Sequence, residues 1–345
     1  ACALYANTTG SNNTAVGGNS LRYNTTGERN TAVGTCSLYS NTVGIRNTAV
    51  GYKSLVSNVA GTRNVAVGES ALELNLGGIM NTSIGQFSMR DNTSGCYNTA
   101  SGRYALKSNT TANVNTGLGY EALSKNTTGC RNTATGAGAL ACNVTGNENT
   151  ASGYLALRLN TGSFNNAFGN QTMQYNTSGS NNAAFGSSAL RYNTTGGFNT
   201  AIGNAALTSN TTGGRNTANG YDALKCNTTG SYNTASGYHA LRGNTTGNFN
   251  AGFGLSVLAN NSTGVNNVAM GTYALLNNTA SDNTSSGAYS LCANTTGNFN
   301  SAFGRSALKD NTTGSLNTAV GSLALYSNTT GSNNTAVGFR SGLSI

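Results

Sequence analysis

The sequence predicts an all-β fold, a parallel β-solenoid (β-roll) of about 20 coils of 17 residues, on three observations. The phrase Asn-x-small-x-Gly, first met at Asn13-Thr14-Ala15-Val16-Gly17, returns about every 17 residues through the 345-residue chain. Charged residues make up only 8%, Pro and Trp are absent and Gly numbers 47, far from average globular usage; yet the apolar residues are strictly phased, unlike those of a disordered segment. A 17-residue period is also too short for two packed helices, whose axes stand roughly 10 Å apart, whereas one coil stacked at the ~4.8 Å strand spacing fits it.

Copies start at Asn13, Asn30, Asn47, Asn64, Asn81, Asn98, Asn115, Asn132, Asn149, Asn165, Asn182, Asn199, Asn216, Asn233, Asn250, Asn267, Asn283, Asn300, Asn317 and Asn334. Seventeen of the nineteen steps are 17 residues, and those from Asn149 and Asn267 are 16. Each short step loses its residue at Asn160-Thr161-Gly162 or Asn278-Thr279-Ala280, which marks a surface turn. One repetitive segment, 1–345, is expected, about 95 Å long at ~4.8 Å per coil. It begins and ends part-way through a repeat, so a piece of a longer chain is expected.

The consensus is Asn-Thr-Ala-Val-Gly-x-x-Ala-Leu-x-x-Asn-Thr-Thr-Gly-x-x, numbered from its first Asn. Position 3 is only Ala, Ser or Gly, as at Ser83, Gly117, Gly252 and Ser285, so the interior there has no room for more. Leu at position 9, replaced in the nineteen complete copies only by Met89 and Met173, fills the rest of the coil. Gly at positions 5 and usually 15 supplies positive φ or close backbone approach. Asn at positions 1 and 12 can ladder up the stack.

Strand alternation turns position 3 inward and positions 2 and 4 outward. Position 4 is apolar at Val16, Val33, Val50, Val67, Ile84, Leu118, Phe168, Phe185, Ile202, Phe253, Met270, Phe303, Val320 and Val337. Such a stripe is expected to be covered by another copy of the chain, with a three-fold bundle preferred. Basic residues recur at position 10 (Arg22, Arg90, Lys107, Arg158, Arg191, Lys225, Arg242, Lys309) and position 17 (Arg29, Arg46, Arg63, Arg131, Arg215), so both face solvent. Spaced cations discourage lateral strand pairing. The net charge of +9 is spread thinly, so nucleic acid is not expected as a partner. Aromatic residues at position 17 (Tyr97, Phe164, Phe198, Tyr232, Phe249, Phe299) are expected to stack on one another, with surface glycans as the other partner class. No apolar run approaches a membrane span.

No catalytic, cofactor or metal site is read. Like-positioned cysteines, Cys2 with Cys36 and Cys96 with Cys130, lie two coils apart, ~9.6 Å, beyond the ~7 Å reach of a disulfide. Cys142, Cys226 and Cys292 have no like-positioned cysteine nearby, which leaves free thiols or bridges between chains. His239 is the only histidine, at an outward position beside Tyr238, and supports no triad. The nine acidic residues show no repeated pairing, calcium-repeat glycine-aspartate phrases are missing, and no glycine loop is followed by the phosphate-binding lysine.

The loop at position 12 carries Asn-x-Ser/Thr, the N-glycosylation acceptor, at Asn7, Asn24, Asn92, Asn109, Asn126, Asn143, Asn176, Asn193, Asn210, Asn227, Asn244, Asn261, Asn294, Asn311 and Asn328. Asn41, Asn58, Asn75 and Asn160 keep the Asn without the acceptor pattern. Two readings stand: a sugar column along one edge, or a structural Asn ladder.

The units at Asn47 to Leu55 and Asn126 to Gly129 resemble repeats of bacterial and phage tail-fibre-like proteins and, more distantly, the β-roll heads of trimeric autotransporter adhesins. The resemblance covers essentially the whole chain and implies a homotrimeric extracellular surface fibre used in attachment, left-handed in the adhesin case. The expected function is thus a non-enzymatic fibre or stalk at a cell or virion surface. The alternatives are a glycan-coated extracellular filament and an ice-binding solenoid. Grass antifreeze rolls also use Asn-x-Val-x-Gly phrases, and Thr at position 2 beside Val at position 4 offers a Thr-x-Val face. Asn166, Ala183 and Ala251 interrupt it.

Overall fold

The computed structural model describes residues 2–343, which are all-β with no helix among them. Each repeat contributes one three-residue strand at its positions 2 to 4. The strands run from β1 (Thr14–Val16) to β9 (Thr150–Ser152), then β10 (Asn166–Phe168), then β11 (Ala183–Phe185) to β20 (Thr335–Val337). The coils form two compact units, Ala1–Ala167 and Phe168–Ile345. Within each unit neighbouring strands are parallel and in register by repeat position. Thus Ala15 lies beside Ala32 and Val16 beside Val33 in the first unit, and Ala184 beside Ala201 in the second. Both units are parallel β-solenoids with the 17-residue coil that the period predicts.

A three-residue strand would be too short to persist alone, but nearly the whole coil bonds to its neighbours. In the first unit Thr14 donates from its amide to Asn30 O at 2.8 Å, Gly34 to Val16 O at 2.8 Å, Leu21 to Ser37 O at 3.0 Å and Thr25 to Thr42 O at 3.0 Å. These ladders run outside the strands as well as along them, so proline would remove a coil-to-coil bond at most positions.

The core is narrow. Ala32, Ala49 and Ala66 at position 3 are buried, as are Leu38, Leu55 and Leu72 at position 9 and the small residues at position 8, such as Ser37 and Ala71. Each buried Leu contributes about 1.5–3 kcal/mol. Where position 3 is Ser, its hydroxyl finds a buried partner, Ser83 Oγ donating to Ser88 O at 2.9 Å and Ser285 Oγ to Ser290 O at 3.0 Å.

The two recurrent glycines do different work. At position 5 the backbone is left-handed, φ 114° at Gly17 and 131° at Gly34. At position 15 φ lies outside that region, but a Cβ on Gly44 would stand 2.5 Å from Gly61 O. Close approach, and not positive φ, is what restricts this position to Gly or, at Ala112 and Ala280, to Ala. Positions 7, 9 and 17 are also left-handed although rarely glycine: φ is 58° at Cys36, 49° at Leu38 and 59° at Arg46. These conformations cost about 1–3 kcal/mol each. They turn the backbone so that each N–H meets an adjacent coil, Cys36 N to Gly18 O at 2.9 Å and Arg46 N to Glu28 O at 2.9 Å.

Candidate functional site

The outward strand face carries a column of exposed apolar side chains. Position 4 alternates away from the buried position 3, and its side chains stand open: Ile84 is 44% exposed, Phe185 41% and Phe253 42%. Val33, Val50, Leu118, Phe168, Ile202, Met270, Phe303 and Val320 are likewise exposed, Val67 is half-buried, and Val16 and Val337, in the first and last repeats, are the most open of the stripe. Phe168 and Phe185 stack with ring centroids 5.0 Å apart. The residues predicted to form an outward stripe are therefore placed as such.

The Asn-Thr-Thr edge is not what the acceptor pattern implies. From Asn24 to Asn328 every position-12 Asn is buried, and Asn7, in the first coil, is half-buried. Asn24 Nδ2 donates one N–H to Asn7 Oδ1 at 2.7 Å and the other to Gly27 O at 3.0 Å. The pattern recurs at Asn109, which donates to Asn92 Oδ1 at 2.8 Å and Ala112 O at 3.1 Å, and at Asn227, which donates to Asn210 Oδ1 at 2.8 Å and Gly230 O at 2.9 Å. N-glycosylation replaces one of those N–H groups and needs open space beside the nitrogen. A sugar column on Asn24, Asn92, Asn109, Asn126, Asn143, Asn176, Asn193, Asn210, Asn227, Asn244, Asn261, Asn294, Asn311 and Asn328 is thus incompatible with this fold. Their column is structural.

Position-1 Asn forms a second column: Asn30 Nδ2 donates to Gly44 O at 2.8 Å, while Asn30 Oδ1 accepts from the Asn47 amide at 3.0 Å. The position-15 carbonyl thus takes both asparagines of its repeat. In the shortened coil Asn149 and Asn160 still converge on Gly162 O, at 2.9 and 2.8 Å. The missing residue comes out of the turn between, as the two short steps imply.

One charged cluster was not read from the sequence. Asp222, at position 7, is buried, and its Oδ2 is approached by Lys225 Nζ at 3.0 Å, Arg242 Nε at 3.5 Å and His239 Nε2 at 3.7 Å. Its Oδ1 is buried without a hydrogen-bond partner. His239 stacks on Tyr238 at 3.8 Å and lies 5.9 Å from Tyr221. Burial lowers the His239 pKa, reinforced by the Arg242 and Lys225 charges and opposed by Asp222. His239 is thus tied into the coil rather than simply outward. The signal was available: columns 7 and 10 of adjacent repeats carry Asp222, His239, Lys225 and Arg242. The cluster sets the buried Asp222 carboxylate against the Lys225 and Arg242 cations, and no serine or cysteine is hydrogen-bonded to the imidazole among the described residues.

The remaining cations lie partly on aromatic rings. Arg191 sits over Tyr175 and Tyr192 at 5.9 and 5.1 Å, and Arg215 over Phe198 and Tyr232 at 5.4 and 5.2 Å. Position 10 is only half-exposed at Arg22, Arg90, Lys107, Arg191, Lys225 and Lys309, with Arg90 and Lys225 held by Asp91 and Asp222. At position 17, Tyr232 and Phe249 stack at 5.0 Å as expected. All seven cysteines are unbridged, and no group of three or more His, Cys, Asp or Glu able to hold a metal occurs among the described residues. Among the described residues no helix is long and apolar enough to cross a membrane. No family model matches the chain, and no characterised protein matches it in sequence.

Proposed function

We propose that this chain is a non-enzymatic structural element, a fibre- or stalk-forming segment of an extracellular appendage used in attachment, assembled from copies of itself. The observation that carries the reading is the uncovered apolar column at position 4, Ile84, Phe185 and Phe253 among its members. Water-exposed apolar columns of this regularity favour association, because covering them removes area worth about 25 cal/mol per Å². The coil invests its polar groups in internal ladders, leaving a scaffold rather than a reacting centre. Attachment and an extracellular setting rest on the likeness to fibre and adhesin repeats, and surface glycans are the ligand class that likeness favours.

Sedimentation velocity of the purified chain tests assembly: species larger than one chain, dissociating when Ile84→Asp and Phe253→Asp are introduced, support it. A wild-type chain that stays monomeric throughout the micromolar range removes it.

A second reading, ice binding, is favoured by one specific observation: Thr14, Thr31 and Thr48 lie side by side in register beside Val16, Val33 and Val50. Ice-recrystallisation inhibition by the monomer tests it, and unaltered crystal growth at micromolar protein eliminates it.

A further inference from the structure

Positions 2 and 4 vary together. Position 2 is Thr or Val in sixteen of twenty repeats, and the four exceptions, Asn166, Ala183, Ala251 and Ser301, are the four repeats whose position 4 is Phe: Phe168, Phe185, Phe253 and Phe303. Both positions point outward, as the exposed Phe185, Phe253 and Phe303 show. A bulky ring is always accompanied, two residues before it on the same strand, by loss of the β-branched side chain.

We infer that the outward strand face of the second unit pairs with the same face of a second copy, the two running in the same direction with equal coil levels opposed. This rests on the self-association proposed above and adds its geometry. Consider a two-fold axis parallel to the stacking direction and lying in the contact plane. It keeps each coil at its level and reverses the strand direction, so position 2 of one copy meets position 4 of the other. Phe185 then seats over Ala183 of the second copy, and Phe253 over Ala251, with the reciprocal contacts made at the same time, as an isologous interface requires. Pairing in opposite directions sets position 2 against position 2 and gives no reason for the co-variation.

A second copy fits as occupant because its coils repeat at the same ~4.8 Å spacing, which matches the corrugation level for level. The area is sufficient. Position-4 side chains such as Phe185 and Phe303 are 41% and 42% exposed, on the order of 80 Å² each against ~200 Å² for a whole aromatic side chain. Phe198, Phe249 and Phe299 in the neighbouring column are 57–59% exposed. Together the two columns exceed the ~800 Å² per partner of a stable interface.

The test uses two variants of the full chain, one with the hollows filled (Ala183→Phe, Ala251→Phe, Ser301→Phe) and one with the rings removed (Phe185→Ala, Phe253→Ala, Phe303→Ala). Each alone is expected to self-associate at least about tenfold more weakly, and an equimolar mixture to recover near-wild-type association as a one-to-one pair of the two variants. Circular dichroism and thermal unfolding check that the coil is retained, and the pair confined to Ala251→Phe and Phe253→Ala serves if a triple variant loses it. Failure of the mixture to recover, or a three-copy assembly, overturns the pairing while leaving self-association intact. A wild-type chain that is monomeric throughout overturns both readings, and a monomer that also shapes ice assigns the face to ice.

Discussion

Asn41 Nδ2 donates to Asn24 Oδ1 at 2.7 Å and, through its second N–H, to Gly44 O at 3.0 Å. One amide thereby joins two coils and closes the turn of its own. Because both groups are buried, the relationship fixes what a substitution there does.

Asn109→Ala leaves Asn92 Oδ1 and an N–H of Asn126, now bonded at 2.8 and 3.2 Å, without partners inside the coil. Unpaired buried groups cost about 1–3 kcal/mol each, so the expected loss for the two is about 2–6 kcal/mol, concentrated in the coils on either side. Hydrogen exchange of the amides from 92 to 126 reads it, and unchanged protection there would contradict a structural column.

The same two donated bonds set the outcome in a host that glycosylates. The folded chain is expected to carry no sugar on any position-12 Asn from Asn24 to Asn328, whatever Asn7 and the exposed acceptors outside that column, such as Asn12, Asn170 and Asn333, carry, so the sites are read one by one in a peptide map. A peptide map showing a glycan on Asn109 or Asn227 would refute this placement.

Val114 holds a φ of 59°, a conformation that β-branched residues rarely adopt. Asn12, Asn181 and Asn333 occupy the same repeat position with φ 57–61°. Val114→Asn is therefore expected to stabilise the fold by about 1 kcal/mol, seen as a higher denaturation midpoint with the Val114 N to Cys96 O bond retained. A lower midpoint would show that the exposed Val side chain contributes more than its backbone costs.

Acid should loosen the coils around Asp222. The folded-state pKa of His239 is lowered, chiefly by burial, so the unfolded chain takes up the proton first. Stability is full above the unfolded pKa of ~6.5 and falls as pH drops through that value towards the folded pKa. His239→Gln should flatten this dependence between pH 7 and about 5. An identical pH profile in the variant would show that the imidazole is not the responsible group.

Much of this fold is legible because like stacks on like. Ala15 and Leu21 can be placed by asking what tolerates its own copy one level away. The Asn-Thr-Thr turn misleads because the same letters describe an exposed acceptor and a buried amide column, and only the depth of Asn24 separates them. The ion cluster is not legible in any single column of the repeat, because Asp222 and Arg242 meet across two columns and two coils. The left-handed backbone at Leu21 was invisible for another reason. Local preference reserves that conformation for Gly or Asn, and coil-to-coil hydrogen bonds override the preference at Leu21, where the amide reaches Ser37 O at 3.0 Å.

The Asn column also has a direction. In the first unit Asn24 donates back to Asn7, Asn41 to Asn24 and Asn58 to Asn41, always toward the lower number. Aligned amide dipoles polarise one another, strengthening each bond by about 10–30%. A coil is therefore held more firmly the more coils stand on both sides of it. Opening is expected to travel inward from wherever the ladder stops, one rung at a time, with the middle rungs the last to release.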